Sequence, residues 1–573
     1  MTLFELEFGL TLIALAFAFA WPGFCNGLFA GVEKLFEPLA RRKGLAAAMV
    51  GVCAIGLRLA LLPLFPIPLP FVPDDFSFLL SADTFAHGRL ANPTPAMWMH
   101  FETIHVSMLP TYQSMYFPGQ GLILAAGQVL LGHPWFALLI LDGLMCAALT
   151  WMLQGWLPRN WALLGGLIAV LRLGLFGYWI NTYHAAGTLA ALGGVLLLGG
   201  LPRLTRTAHM RYALLMGLGI SILVLTRPYE GFLVCIPTGF VLIRWLMKGK
   251  NRPAPARAAK LIAAPLGLIL ATCAWLGYYD YRAFGSPLTL PYTVNRATYA
   301  MAPYYIWQGP RPVPVYRHAE MRDFYEEKEM KIYRDIHSVS GFLPNSLLKV
   351  VITFLSYSYF ALLIPMLMIH RVFMDRRIRF LVVCVLLVAA GMAIEVFLLP
   401  HYVAPITCAF YAIGLQAMRH MRCWKPEGKP VGLTLVRLTV TVCVLMAGVR
   451  VLAVPLHFEP TEYPASNWNF NWFGPAHWGT ERQEVLDRLE QLPGKQLAIV
   501  RYSTVHEALN EWVYNSADIA GSKVIWARNM NPAENRELVD YYKDRTVWLV
   551  EPDAVPVRVT PYPSQGPSLR PDH

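Results

Sequence analysis

The sequence predicts an all-α polytopic membrane protein of about twelve transmembrane helices, carrying a small α/β domain at its C-terminal end. Three observations predict it. Over 573 residues the chain is 56% hydrophobic and only 15% charged, and its mean hydropathy of +0.43 is too high for a soluble enzyme of this length. Apolar runs such as 261–276, 380–399 and 431–454 approach or exceed the roughly 20 residues that cross a ~30 Å hydrocarbon core. After Val454 the composition changes: Trp, Asn and Pro crowd 455–479, and shorter, more polar elements follow.

The formal charge of +12 invites a nucleic-acid partner, but the basic residues lie in short clusters between apolar runs, so no nucleic acid is expected. They encode orientation instead. Placing Lys34 with Arg41 to Lys43, Arg203 to Arg211, Lys248 to Lys260, Arg371 to Arg379 and Arg419 to Lys429 in the cytoplasm leaves every other loop outside. The first apolar run, Phe8 to Phe29, follows Glu5 and Glu7 with no Lys or Arg, which points to a retained anchor rather than a cleaved signal peptide. Of nine cysteines all but Cys423 lie inside apolar segments, so no disulfide framework or CxxC metal site is expected.

An odd number of spans must separate an outer loop from the next basic one. Between the loop after Pro70 and the cluster at Arg203 lie four apolar stretches, Phe117 to Gly132, Trp135 to Trp156, Trp161 to Ile180 and Ala185 to Leu201, and only three can cross. The first is the shortest and opens on Pro118-Gly119-Gln120-Gly121, so it is expected to be a re-entrant or interfacial helix within a first outer loop at 70–134. Seven further spans, from Tyr212 to Leu225 through to Val431 to Val454, give about twelve crossings with both termini outside. The transmembrane domain is thus 1–456, with a second large outer loop at 280–345, a linker at 457–479 and a soluble domain at 480–573. In that last domain Glu481 to Leu492 reads as an amphipathic helix. Gln496 to Tyr502, Lys523 to Ala527 and Thr546 to Val550 read as buried strands, separated by helices over Glu507 to Asn515 and Pro532 to Lys543. No Gly-rich phosphate loop is present, and His506 and Glu507 are expected to be ordinary surface residues.

Ionisable residues at membrane depth are costly and usually functional. In this threading Asp74, Asp75, Arg172, Arg227, Glu230, Asp280, Glu395 and His401 fall at or near outer helix ends; only Asp142 lies deeper, where it suits a helix-packing hydrogen bond. A transporter carries its acids nearer the midplane. Pro73-Asp74-Asp75-Phe76 opens the first loop with two carboxylates at one height. Such a pair can divide into a general base or metal ligand and its support, and it equally suits a helix N-terminus.

Asp74-Asp75-Phe76-Ser77-Phe78, followed by Ala86-His87-Gly88-Arg89-Leu90, resembles the acidic pair and following helix in the first outer loop of the GT-C superfamily of polytopic membrane glycosyltransferases, which includes protein O-mannosyltransferases and aminoarabinose transferases. Tyr116-Phe117-Pro118-Gly119-Gln120-Gly121 is similar to the Tyr-Pro-Pro end of that loop, departing from it at Phe117 and Gly119. Leu225-Thr226-Arg227-Pro228 is similar to an Arg-Pro element, and His401-Tyr402-Val403-Ala404-Pro405 to Arg-Tyr-x-x-Pro, with His401 in place of Arg. These matches keep the family's order across most of the membrane region and do not reach Asn467 to His573. The resemblance implies a GT-C-like fold and transfer of a sugar from a polyprenyl-phosphate donor to a lipid, glycan or protein acceptor, at the periplasmic face of a bacterial inner membrane. It implies that Asp74, supported by Asp75, acts on the acceptor. Arg227, His401, Tyr402 and Arg172 are expected at the donor phosphate, and Tyr116, Pro118 and Gln120 in the substrate loop.

A divalent cation (Mg, Mn or Zn) can reinforce the arginine, and His100, Glu102 and His105 offer ligand types in the same loop, as they equally offer surface contacts or hydrogen bonds to substrate. Trp179, Tyr183, Tyr292, Tyr304, Tyr305 and Trp307 suit stacking on sugar faces as well as an interfacial aromatic belt. The loop from Tyr281 to Asn345, with a charged helix over Glu320 to Asp335, is long enough to be a lid. Two rival functions share this span pattern. A transporter or flippase of lipid-linked glycans requires a polar path through the midplane, and a non-catalytic assembly protein requires a closed bundle.

Overall fold

The computed structural model describes residues 3–184, 186–249, 251–453, 455–457 and 479–562, so the expected linker lies almost wholly outside the described residues. Among these, eight helices are long and apolar enough to cross a membrane: Leu3–Ala20, Lys43–Ala60, Pro134–Trp156, Gly187–Thr207, Pro228–Lys248, Pro255–Phe284, Val339–Tyr357 and Val431–Ala453. Phe232, Phe240, Ile243 and Leu270 on these helices are more than half exposed, as lipid-facing side chains must be and as a water-facing surface rarely tolerates. The chain is an integral multi-pass membrane protein.

At the other four expected spans the helices are shorter or broken and fall below the length of a crossing helix. Met210–Val224 and Arg379–Ile394 are apolar but short. The segment expected over 161–180 runs as Arg159–Ala169, loosens into a π-turn at Val170–Gly174 and restarts only at Tyr178–Asn181. The segment expected over 402–418 begins with the 3-10 stretch Pro400–Ile406, where two prolines delay the α-helix to Thr407–Arg422. The first apolar run also divides: Leu3–Ala20 ends at a turn in which Cys25 has φ 49°, and Asn26–Arg41 leaves as a separate helix. Asp142, the one deep acid of the expected spans, lies within electrostatic reach of Arg58, which donates to the Phe65 carbonyl (2.8 Å) and to Asn181 (3.1 Å).

The segment expected as the first outer loop holds the helix Pro73–Ala86, the short antiparallel pair β1 (Val106–Ser107) and β2 (Gln113–Ser114), and the helix Pro118–Leu131. The 14 residues of Pro118–Leu131 reach about 21 Å. Two glycines seat that helix. A Cβ on Gly121 would fall 2.3 Å from the Ser81 hydroxyl, and one on Gly119 would fall 2.6 Å from the Leu225 carbonyl, to which the Gly119 N–H donates at 2.9 Å. The departure of Gly119 from the Tyr-Pro-Pro pattern thus has a local cause: proline has no N–H to donate here.

The tail folds into a sheet of order β4-β3-β5-β6, comprising β3 (Lys495–Val500), β4 (Val524–Arg528), β5 (Arg545–Glu551) and β6 (Arg558–Pro561). The first three are parallel and β6 is antiparallel on β5. Helices form at Thr480–Gln491 and Pro532–Tyr541, but 507–515 is irregular: the Glu511 carboxylate accepts the Val513 N–H and the Tyr502 hydroxyl, holding a loop where helical spacing had been expected. The edge strand β6 escaped the sequence pattern because it is short and bounded by prolines.

The tail packs on the first loop. Phe76, Phe101 and Tyr112 share a core with Leu497, Ile499 and Tyr514, and the Phe76 and Tyr514 rings stack at 4.3 Å. Arg528, 2% exposed, donates to the Glu102 carbonyl (2.6 Å), pairs with Glu320 of the second loop (2.9 Å) and pairs more closely with buried Glu511. Glu507 belongs to this contact region, pairing with Lys328 of the second loop, whereas His506 bonds Asp553 within the tail (2.7 Å). Removing one partner of a buried pair leaves the other charge uncompensated, so Arg528→Leu is expected to cost roughly 3–5 kcal/mol. A clear drop in the thermal midpoint of the purified protein checks this.

Candidate functional site

Val72 is extended and Pro73 occupies the first helical position, so Asp74 and Asp75 sit in the first turn of Pro73–Ala86, where the helix dipole favours carboxylates. Successive helical residues point about 100° apart, and the two acids diverge. Asp75 is fully buried; its Oδ1 accepts the Tyr183 N–H (2.8 Å) and the His184 imidazole (3.0 Å), and its Oδ2 accepts the Phe71 N–H (3.3 Å). Burial opposes the His184 imidazolium, but the Asp75 carboxylate and its hydrogen bond outweigh burial and hold that imidazole above its usual range. The two form a buried ion pair.

Asp74 faces the other way. Its Oδ1 takes a short hydrogen bond from the Tyr116 hydroxyl, and its Oδ2 is 3.4 Å from His105 Nδ1, which lies 3.0 Å from the same hydroxyl. Burial works against ionisation of Asp74, yet His105, its hydrogen bond, His184 and Tyr116 together hold the carboxyl below its usual range. It is therefore a carboxylate at any neutral pH. His105 has φ 63°, a left-handed backbone that a non-glycine residue adopts only where its surroundings impose it.

Across from this carboxylate comes the turn Leu225-Thr226-Arg227, brought in by the Gly119 hydrogen bond. The Arg227 guanidinium lies 4.1 Å over the Tyr402 ring and 3.7 Å from Glu230, with Glu395 also within electrostatic reach. Tyr402 lies within reach of both Arg227 and Asp74, as does Tyr292 of the second loop, whose ring is 5.5 Å from Tyr116. Tyr304 stands 6.0 Å behind Tyr292, whereas Tyr305 and Trp307 stack on each other at 4.6 Å. The Tyr178 hydroxyl bonds the His401 N–H (2.8 Å) and Nδ1 (2.9 Å). Burial, then Arg227 and His184, hold His401 below its usual range.

The expected residues thus separate. Asp74, Tyr116, Tyr402, Arg227 and His401 come together, and Asp75 supports them from behind. Gln120 is buried and donates to the Tyr183 carbonyl (3.1 Å), while Pro118 starts its helix. Arg172 does not join them: it donates to the Leu355 carbonyl (2.5 Å) and lies 5.5 Å from the Tyr359 ring, because the π-turn at 170–174 aims it into the bundle. His100, Glu102 and His105 also part company. His100 bonds the Arg528 carbonyl (3.1 Å), Glu102 meets Tyr299 (3.0 Å) and Arg317 (3.3 Å), and only His105 reaches Asp74. Among the described residues no three metal-ligating side chains converge, so Asp74 and His105 lack a third protein ligand for a divalent cation. Sequence reasoning missed His184, Tyr178 and Lys349, which donates to the Met392 carbonyl (3.0 Å) and the Glu395 carbonyl. A histidine following Trp179 and Tyr183 in an outer turn was the available signal for His184.

His184 has a raised folded-state value, against about 6.5 when unfolded. The pair's contribution is therefore complete below about pH 6.5 and is lost as pH rises through the folded value. Thermal unfolding of wild type is expected to fall more steeply with rising pH than that of His184→Asn, which is also expected to be less stable by roughly 3–5 kcal/mol at the low-pH end.

No protein-family model and no curated protein matches the chain. Solved structures do resemble it. Apo ArnT from Cupriavidus metallidurans is 12% identical, with 87% of this chain and 92% of that one covered at a TM-score of 0.47. The oligosaccharyltransferase AglB from Archaeoglobus fulgidus, in complex with an inhibitory peptide and a dolichol-phosphate, is 11% identical, with 90% and 70% covered at a TM-score of 0.46. The same archaeal oligosaccharyltransferase in complex with Zn and sulfate is 10% identical, with 88% and 67% covered at a TM-score of 0.46. At these TM-scores the likenesses add nothing to the roles of individual residues, which rest on the chain's own geometry.

Proposed function

We propose that the protein is a glycosyltransferase that moves a sugar from a polyprenyl-phosphate donor to a lipid, glycan or protein acceptor at the extracytoplasmic face, in a bacterial inner membrane. The observation that carries this is that Asp74, held below its usual range, and buried Arg227 both lie within electrostatic reach of the same two tyrosines, Tyr292 and Tyr402, with Tyr116 bonded to Asp74 and packed on Tyr292. Asp74 takes the proton from the acceptor's nucleophilic group, which attacks the anomeric carbon. The bond from that carbon to the phosphate oxygen breaks, its electron pair stays on the lipid phosphate, and Arg227 stabilises the charge that develops there. Tyr402 holds the guanidinium in place from one side, and His401 offers a hydrogen bond. The aromatic walls suit the apolar faces of a sugar.

Loss of a general base costs about 10²–10⁴-fold in rate. Asp74→Asn is therefore expected to lower transfer by at least about 10²-fold while leaving the thermal midpoint close to wild type, in an assay of purified protein with polyprenyl-phosphate sugars. Undiminished transfer in Asp74→Asn rejects the assignment. In His105→Ala the acidic limb of the pH–rate profile is expected to move to higher pH, because the imidazole that lowers the Asp74 value is gone.

A further inference from the structure

At the opposite end of the bundle, two cavities meet. One, of about 490 Å³, is polar and lined by Asp375, Arg377, Gln416, Arg419, His420 and Arg422. The other, of about 540 Å³, is an apolar groove between the helices Asn26–Arg41, Arg159–Ala169 and Val431–Ala453. Trp161 and Arg422 line both, so polar chamber and groove adjoin at these two side chains. The helix Thr407–Arg422, about 24 Å long, separates this junction from His401 and Tyr402, so it is remote from the carboxylate site.

The junction is rich in cations. Among the described residues that line it, Arg377, Arg419, Arg422 and Arg437 stand against two carboxylates, Asp375 and Glu33. Both are already engaged. Asp375 accepts the Arg377 N–H (2.9 Å) and the Gln416 amide (2.5 Å), and Glu33 is shared between Arg437 (2.9 Å) and Arg422 (3.7 Å). Arg419 bonds the neutral Gln416 oxygen (2.7 Å) and lies within electrostatic reach of both Arg377, which repels it, and Asp375, which attracts it. Below, the groove runs along Val431–Ala453 from Leu433 to Leu445, about 18 Å at 1.5 Å per residue. That is close to one leaflet, half of a ~30 Å hydrocarbon core.

We propose that this junction is a binding site for an anionic phospholipid, with the headgroup phosphate held by Arg419, Arg422 and Arg377 and one acyl chain lying in the groove. The excess of cations demands an anion, and the apolar lining demands that the anion be attached to a chain. A groove of one leaflet's depth suits a glycerophospholipid acyl chain and is too short for a long polyprenyl chain laid along it. The basic loops that form the chamber are of the kind that face an anionic leaflet.

The test is native mass spectrometry of the full chain in detergent, titrated with phosphatidylglycerol, phosphatidylcholine or glycerol phosphate. Wild type is expected to bind phosphatidylglycerol in preference to phosphatidylcholine, and not to bind glycerol phosphate at equal concentration. Each arginine beside a headgroup contributes about tenfold or somewhat less, so Arg419→Gln with Arg422→Gln is expected to reduce the preference on the order of thirtyfold. Val440→Trp, which fills the groove and leaves every arginine in place, is expected to reduce occupancy and keeps the test open should the double variant fail to fold. Equal binding of both lipids by wild type, glycerol phosphate binding as tightly as the lipid, or wild-type occupancy in Val440→Trp overturns the proposal.

Discussion

The buried Asp75 carboxylate is the constraint on which the rest of the site depends. By accepting from Phe71, Tyr183 and His184 it ties the first turn of Pro73–Ala86 to the turn that follows the broken helix at 159–174. With Asp75 committed inward, helical geometry turns Asp74 outward, toward Tyr116 and His105. The two acids at one height are thus unlike in kind. One is consumed by architecture, and the other is kept ionised and available. The cost of burying Asp75 is met by a partner of opposite charge, as buried carboxylates require.

The tail reinforces this arrangement from above. Tyr514 stacks on Phe76, two residues from Asp74, and its hydroxyl donates to the Ile104 carbonyl beside His105. Asp83, in the same helix as Asp74, accepts the Ala517 N–H, and Tyr112 donates to the Asn515 carbonyl. Arg528 then gathers Glu102 of the first loop and Glu320 of the second around Glu511 of the tail. Three chain segments distant in sequence therefore share one polar knot, and its first-loop member, Glu102, lies three residues before His105.

Much of this was legible in the sequence, and the limits have physical causes. The parity of basic loops placed Pro118–Leu131 in the first loop because charge asymmetry and span length are one-dimensional properties. Asp74, Arg227 and Tyr402 were found because outer helix ends converge. What local patterning cannot register is direction. Arg172 has the same depth as Arg227, but a π-turn rotates it away. His100, Glu102 and His105 are near neighbours in sequence, but the chain turns between them and each finds a different partner. The division of labour within Asp74-Asp75 was equally hidden, since it depends on His184, which is 109 residues away.

The hydrogen bond from the Gly119 N–H to the Leu225 carbonyl joins the loop that carries the acid to the turn that carries the arginine. It is a main-chain link, made one residue before Thr226 and two before Arg227. The placement of Asp74 relative to Arg227 is therefore tied in part through backbone, by a bond that does not depend on which side chains surround it. Substitution of the neighbouring aromatic residues leaves that link in place.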